Sequence, residues 1–165
     1  MKYLLDANTF IQAKNMYYSM TVCPGYWDWI LQKNASSDIS STVSIYNELA
    51  KGDDELRDWA VKNKSIFMPD TDTNTQHKFS EIAIYLQAQS YKMKANALNE
   101  FLGGADPWLI AKAFTTNAIV VTQEKLNLDC RKKFLIPNVC KHFGVSYMNT
   151  FDLLSELKAE FVLRP

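Results

Sequence analysis

Four acidic residues occupy positions from which their carboxylates could act together. Asp6 directly follows the apolar stretch "YLL", and Glu124 follows the apolar stretch "AIVVT". Glu48 lies within "IYNEL" and Asp106 within "GGADPWLIA", each in an otherwise apolar helical pattern. Taken singly, each acid has a plain structural interpretation, such as a helix cap or a solvated position. Burying a carboxylate is costly unless a partner compensates it, so four of them facing one cleft would indicate a bound cation.

The chemistry of the available ligands predicts which cation this would be. Two unit charges ~5 Å apart in a protein-like dielectric repel by about 3 kcal/mol, and a divalent cation relieves that repulsion. Hard cations such as Mg²⁺ and Mn²⁺ prefer oxygen ligands. The chain has only two histidines, and its three cysteines form no C-x-x-C pair, so zinc is not predicted. We interpret Cys23, Cys130 and Cys140 as free thiols.

Short apolar strands alternate with helical patterns through most of the 165 residues. The predicted strands are "KYLL", "DISST", "SIFMPD", "AIVVT" and residues 145–148. The predicted helices are "NTFIQAKNMY", "PGYWDWILQKN", "VSIYNELAK", "DDELRDWAVKN", "NTQHKFSEIAIYLQAQSYK", "ADPWLIAKAFTTN", "IPNVCKHF" and one last helix. This alternation predicts one α/β domain over residues 1–165, with a central, mostly parallel sheet flanked by helices. Sites in such sheets form at the carboxyl ends of strands, where Asp6 and Glu124 stand.

The four acidic stretches, in this order, resemble the motifs of a known enzyme family. "YLLDANTFI", "SIYNEL", "GGADPWLIAKA" and "VVTQE" are similar to the four acidic motifs of PIN-domain ribonucleases, and the resemblance covers nearly the whole chain. "PGYWDWI", "GDDELRDWA" and "KKFLIPNVCKHFGV" further resemble a bacterial, VapC-like branch, often grouped with the toxins of type II toxin–antitoxin systems. The fold that this resemblance implies is a single PIN-like nuclease domain.

The resemblance also implies roles for individual residues. Its catalytic and metal-binding residues would be Asp6, Glu48, Asp106 and Glu124, which would bind one or two Mg²⁺ or Mn²⁺ ions. Asn8 and Thr122 would be small polar residues that support the site. The family's last motif commonly carries Asp after the Thr-x pair, whereas this chain has Glu124, whose longer arm would reach the metal through water. Asp129 is the alternative fourth acid.

The implied activity is metal-dependent hydrolysis of RNA. A metal held by carboxylates activates water for attack on phosphorus, so no serine, cysteine or histidine nucleophile is required. A basic stretch just beyond Glu124 could hold RNA phosphates, although a solvated loop explains it equally well. Its residues are Lys125, Arg131, Lys132 and Lys133. Tyr17 and Tyr18 could stack on bases, whereas core packing is the better interpretation of Trp27 and Trp108.

The composition of the chain supports a nuclease only in part. The 18 basic and 18 acidic residues cancel, so net charge alone does not predict a nucleic-acid partner. The start of the chain lacks a secretory segment and no stretch is apolar enough to span a membrane, so we expect a cytoplasmic protein. The resemblance implies a cognate antitoxin and a possible homodimer as partners. The aromatic-rich "NMYYSMTVCPGYWDW" could form such a surface, although core packing explains most of it.

Two alternative functions share parts of the pattern. A PIN-like scaffold would bind RNA or protein without cleaving it, and the presence of all four acids argues against this. A phosphatase of the haloacid-dehalogenase type begins with an apolar strand that ends in Asp-x-Asp. In this chain the second of those positions is Asn8, which cannot serve as the general acid.

Overall fold

The centre of the molecule is a five-stranded sheet in the computed structural model, which describes residues 2–162. The strands are β1 (Tyr3–Leu5), β2 (Ile39–Thr42), β3 (Phe67–Met68), β4 (Ile119–Val121) and β5 (Tyr147–Met148). Their order is β3-β2-β1-β4-β5, and each neighbouring pair is parallel. The predicted α/β class and parallel sheet are confirmed.

Helices connect these strands and cover the sheet. They are α1 (Ala7–Gln12), α2 (Pro24–Ala35), α3 (Val43–Leu49), α4 (Glu55–Lys62), α5 (Thr73–Gln89), α6 (Ala97–Gly103), α7 (Asp106–Thr116), α8 (Ile136–Phe143) and α9 (Thr150–Glu156). A π-helical turn, Ala13–Tyr17, continues α1, and 3-10 turns occupy Lys64–Ile66 and Ser90–Lys92. Within residues 2–162, no helix is long and apolar enough to cross a membrane.

The central strands are short and apolar because both of their faces are covered. Tyr3, Leu4 and Leu5 of β1 have no exposed surface, and neither have Val120 and Val121 of β4. Burying a large aliphatic side chain contributes roughly 1.5–3 kcal/mol, so these strands anchor the core. In the parallel register, Leu5 lies beside Val121. The residues that follow β1 and β4 therefore leave the sheet side by side.

Several helix boundaries follow the chemistry of single residues, as predicted. Pro24 and Pro107 lie in the first turns of α2 and α7, where the missing N–H is not needed. Thr42 caps α3, its side chain accepting a hydrogen bond from the backbone N–H of Ile45 at 3.5 Å. Gly144 ends α8 in the left-handed region with φ of 69°.

Helix α6 is the element that the sequence analysis missed. It spans seven residues, and the residue before it, Asn96, has a left-handed conformation with φ of 70° and makes no side-chain cap. Gly103 ends the helix and Gly104 follows in extended conformation. The start of this helix has no side-chain cap, so the sequence lacks the usual signal of a helix N-terminus there. It matters for the site because it delivers the chain to Asp106.

Candidate active site

Asp6 lies at the carboxyl end of the central strand and is the N-cap residue of α1. Its side chain is 1% exposed. The backbone N–H of Asp6 donates to the carbonyl of Val121 at 3.0 Å, so the sheet fixes its position. Its carboxylate Oδ2 accepts a hydrogen bond from the hydroxyl of Thr122, also at 3.0 Å. A buried carboxylate at the end of β1 is therefore held from the neighbouring strand β4.

Thr122 connects Asp6 to the last acid of the set. Its Oγ1 donates to Asp6 and accepts the backbone N–H of Glu124 at 3.2 Å. Thr122 is thus a polar neighbour of Asp6, and its role in supporting a metal site stays a prediction. Asn8, the other expected neighbour, is half-buried in α1 and makes no side-chain hydrogen bond to the acids within residues 2–162. Its supporting role stays a prediction.

Glu48 reaches the site from α3. Its Oε1 accepts the backbone N–H of Ala105 at 2.8 Å, immediately before Asp106. A Cβ atom added to Gly104 would lie 3.4 Å from the same oxygen, so the small residue leaves room for this contact. The carboxylate of Glu48 therefore fixes the start of α7, and with it the backbone position of Asp106.

A fifth acid, Asp70, supports α3 and was missed by the sequence analysis. It follows β3, is 1% exposed, and its Oδ2 accepts the backbone N–H of Ser44 at 3.0 Å. This contact satisfies a second N–H at the start of α3, beside the one satisfied by Thr42. An acid just after a predicted strand was the available signal, since Asp6 was found in that way. Asp70 thus helps to orient the helix that carries Glu48.

Glu124 uses both of its carboxylate oxygens within the protein. Oε1 accepts the ammonium group of Lys133 at 2.5 Å, and Oε2 accepts the backbone N–H of Ile136 at 2.8 Å. Ile136 is the first residue of α8, so Glu124 also supports the start of that helix. These contacts join the two ends of the loop between β4 and α8.

The electrostatics show that the four predicted acids act on one another. Burial raises the pKa of Asp6 above its ordinary value of 3.8, and the charges of Glu124 and Glu48 raise it further. Burial likewise raises the pKa of Asp106, with added repulsion from the other three acids. Lys133 opposes this by lowering the pKa of Asp106. The alternative fourth acid, Asp129, is exposed in the loop.

The four acids suit a hard divalent cation, both because their ligand atoms are oxygens and because they carry negative charge. The cluster offers carboxylate oxygens only, and burial together with mutual repulsion disfavours the charged forms of Asp6 and Asp106. In the side-chain positions adopted here, no three His, Cys, Asp or Glu residues among those described converge as ligands of one ion. Glu48 and Glu124 are instead turned towards backbone N–H groups and Lys133. Coordination would require the side chain of Glu124 to rotate, whereas Glu48 could contribute Oε2 while Oε1 keeps its contact with Ala105.

The four basic residues beyond Glu124 are all exposed but differ in their contacts. Lys133 pairs with Glu124 and faces the acids. The guanidinium of Arg131 donates to the carbonyls of Leu128 and Cys130, at 2.7 and 3.2 Å, and so stabilises its own loop. Lys125 and Lys132 are exposed. The expected binding of RNA phosphates by these four residues stays a prediction. Lys125 directly follows Glu124 in the sequence, and Lys133 contacts it.

Comparison with protein families places this chain. The model of one family, described as "Domain of unknown function (DUF4411)", matches residues 3–161. The chain belongs to the DUF4411 family. No curated protein is significantly similar to it in sequence. The description of the DUF4411 family states no activity.

Two solved structures are similar to this DUF4411 chain in fold. One is described as VapBC2 from Rickettsia felis bound to a DNA fragment from their promoter, with a TM-score of 0.52. The other is VapBC-1 from nontypeable Haemophilus influenzae, with a TM-score of 0.54. Each is 15% identical, and the match covers 90% of this chain and 98% of the other. These similarities confirm the expected VapC-like fold and concern the fold alone.

Proposed function

We propose that this protein is a metal-dependent endoribonuclease that hydrolyses RNA phosphodiester bonds. The observation that carries the proposal is the gathering of four carboxylates, from β1, α3, α7 and the end of β4, within mutual electrostatic reach. Two of them, Asp6 and Asp106, have pKa values raised by burial, and such perturbed groups in a cleft are typical of functional sites. A purely structural cluster of buried acids would be destabilising.

The residues divide the work of such a site in a definite way. Asp6 and Asp106 would hold one or two Mg²⁺ or Mn²⁺ ions, with Glu48 as a third carboxylate and Glu124 as the outermost. When bound, such an ion supplies the Lewis-acid chemistry that makes water nucleophilic and stabilises charge on the phosphate. Thr122 keeps the carboxylate of Asp6 oriented through its hydrogen bond. Lys133, at the edge of the cluster, is placed to attract a phosphate group.

The biological setting is proposed from the fold and from the motifs. We infer that the chain is the toxin of a toxin–antitoxin pair, because its motifs resemble VapC-like toxins and its fold is similar to chains of two VapBC complexes. A cognate antitoxin is then the expected protein partner, and a homodimer the expected assembly. A cytoplasmic location follows from the same proposal.

Cleavage of labelled total RNA tests the proposal. Purified protein would be assayed with Mn²⁺, with Mg²⁺ and with EDTA, beside the variants Asp6→Asn and Asp106→Asn. The expected result is metal-dependent cleavage that both variants lose. Activity equal to wild type in either variant would contradict the assigned site. Absence of cleavage in every metal, with no stabilisation by Mn²⁺, would favour the alternative of a non-catalytic, PIN-like binding scaffold.

A further inference from the structure

A groove of about 580 Å³ opens beside the acidic cleft, at the carboxyl ends of β4 and β5. Thr122 and Glu124 line it together with residues of α1, the π-helical turn and α9. Its volume lies within the roughly 300–1,000 Å³ range of ligand-binding pockets. Because Glu124 of the acidic cluster and Thr122, which donates to Asp6, form part of its wall, a molecule bound at the acids would continue into this groove.

The far wall of the groove is aromatic. Tyr17 and Phe151 are 47% and 45% exposed, and their rings meet edge to face with centroids 5.2 Å apart. Large aromatic side chains left this exposed on two different elements offer ring faces to a planar ligand. Tyr17 ends the π-helical turn Ala13–Tyr17. Such turns are rare and frequently occur at functional sites.

The rest of the lining is suited to a nucleotide. Gln12 and Gln123 contribute amide groups, which both donate and accept hydrogen bonds, as the edges of a base require. Lys125 contributes an exposed positive charge at the rim. Leu126 and Met148 add apolar surface. The aromatic faces suit stacking on a base, the amides suit hydrogen bonds to the edge of that base, and the lysine suits a backbone phosphate. All three lie next to the proposed cleavage site.

We propose that this groove is a subsite for an unstacked base of single-stranded RNA, which stacks against the exposed faces of the Tyr17–Phe151 ring pair. The inference rests on the proposed nuclease function, because that function places the phosphate at the acids. Tyr17 lies eleven residues after Asp6 along one helical segment, or ~16 Å at a rise of 1.5 Å per residue. The base in the groove therefore belongs to a nucleotide that flanks the scissile bond. Duplex RNA, whose bases stay stacked, does not enter the groove.

Binding of RNA without cleavage tests this subsite. The fluorescence anisotropy of a short, labelled single strand would be titrated with protein in EDTA, beside the same strand annealed into a duplex. Tyr17→Leu and Phe151→Leu remove the ring but keep apolar volume, so both variants should remain folded. Loss of one stacking contact is expected to weaken single-strand affinity roughly five- to 100-fold.

Two further variants control for indirect effects. Tyr17→Phe retains the ring and is expected to bind close to wild type. Tyr91→Ala removes a tyrosine that is 79% exposed but lies on a different element, the 3-10 turn Ser90–Lys92, and should leave affinity unchanged. Duplex affinity is expected to be weaker than single-strand affinity in the wild type and similar among all variants.

The outcomes separate this inference from the proposed function. If both leucine variants bind the single strand as tightly as wild type, or if wild type does not bind it, the subsite is wrong. If the groove binds a protein partner instead, both leucine variants would bind the single strand as tightly as wild type. If wild type binds the strand through Tyr17 and Phe151 but does not cleave RNA in Mn²⁺ or Mg²⁺, the nuclease proposal fails while the subsite stands.

Discussion

Glu124 and Lys133 form an ion pair, with Oε1 and Nζ 2.5 Å apart, at the edge of an otherwise acidic cleft. The side chain of Glu124 is 11% exposed and that of Lys133 is 57% exposed. The pair has two consequences for the proposed site. The charge of Lys133 lowers the pKa of Asp106. Its ammonium group also occupies a carboxylate oxygen of Glu124 that a metal ion would otherwise bind.

Removing this ammonium group should strengthen metal binding. We expect Lys133→Gln to bind Mn²⁺ about fivefold more tightly than wild type, since an exposed ion pair contributes at most ~1 kcal/mol. Isothermal titration with Mn²⁺ measures the difference, and Lys132→Gln, at the exposed neighbouring position, is the matched control. Unchanged or weaker Mn²⁺ affinity in Lys133→Gln would mean that the pair lies outside the metal's reach.

Neutralising the carboxylate at the end of β1 should not weaken the metal-free fold. Asp6 is buried among other acids, so Asp6→Asn removes a repulsive charge while keeping the volume and a hydrogen-bonding group for Thr122. We expect a thermal midpoint in EDTA equal to wild type or a few degrees higher, since about 1 kcal/mol corresponds to ~2–4 °C at this chain length. Asp28→Asn, exposed on α2, serves as the control.

A marked fall in the midpoint of Asp6→Asn would contradict this. The carboxylate would then contribute to stability through its charged hydrogen bond with Thr122 rather than being tolerated for its chemistry. Adding Mn²⁺ extends the comparison, because an ion that binds the folded state raises the midpoint. Wild type should gain stability from Mn²⁺, and Asp6→Asn should gain less.

The sequence predicted the sheet and the acid positions because both depend on local signals. Apolar runs of strand length identify β1 and β4, and the strand-end rule then identifies Asp6 and Glu124. The strand-end rule also applies to Asp70, because "SIFMPD" was predicted as a strand, yet Asp70 supports α3 and is not one of the four acids of the cleft. Helix α6 begins after Asn96, whose left-handed conformation provides no side-chain cap, so the usual sequence signal of a helix start is absent.

Contacts between distant side chains could not be predicted in this way. The pairing of Lys133 with Glu124 depends on the path of the loop between β4 and α8, for which sequence patterns give no direction. The sequence therefore left phosphate binding and a solvated loop equally open for the basic stretch, and it gave no sign that Arg131 turns back to its own loop. The aromatic groove joins Tyr17 and Phe151, 134 positions apart, and no sequence period connects them.

The N-cap of α5 predicts a dependence of stability on pH. Asp72 accepts the backbone N–H of Thr75 at 3.1 Å and the ammonium of Lys112 at 2.6 Å, and these contacts hold its pKa well below 3.8. Charged Asp72 therefore stabilises the folded state above pH ~4, and this contribution is lost as pH falls towards the lower, folded-state pKa. In Asp72→Asn the amide still caps α5 but cannot pair with Lys112.

Thermal melts between pH 7 and pH 2 measure this contribution. The midpoint of Asp72→Asn should lie below that of wild type at pH 7, and the difference should shrink below pH ~4. Added salt should reduce it at pH 7. Asp53→Asn, exposed before α4, controls for the loss of one negative charge. A difference that is independent of pH would assign the effect to capping geometry instead of charge.

The free cysteines should differ in reactivity. Hydrogen bonding to the backbone of Lys133 holds the pKa of Cys130 below its ordinary value of 9.0, whereas burial raises the pKa of Cys140 to about 12. Since the thiolate is the reactive form, we expect iodoacetamide at pH 7.5 to modify Cys130 well before Cys140. Mass spectrometry of timed digests measures the order. Modification of Cys140 in the folded protein at a similar rate would contradict the described packing of α8.

The two glycines before Asp106 provide a matched test of the role of Glu48. A Cβ at Gly104 would lie 3.4 Å from Oε1 of Glu48, whereas a Cβ at Gly103 would meet nothing within 4 Å. Gly104→Val adds two further methyl groups at this contact and should displace Glu48 from the N–H of Ala105.

If Glu48 helps to hold the metal, this variant should bind Mn²⁺ at least tenfold more weakly, while Gly103→Val binds it like wild type. Each tenfold change corresponds to ~1.4 kcal/mol, which is within the range for loss of a charged hydrogen bond. Equal Mn²⁺ affinity in the two valine variants, with both folded by circular dichroism, would leave Glu48 as a structural support of α7 and remove it from the metal site.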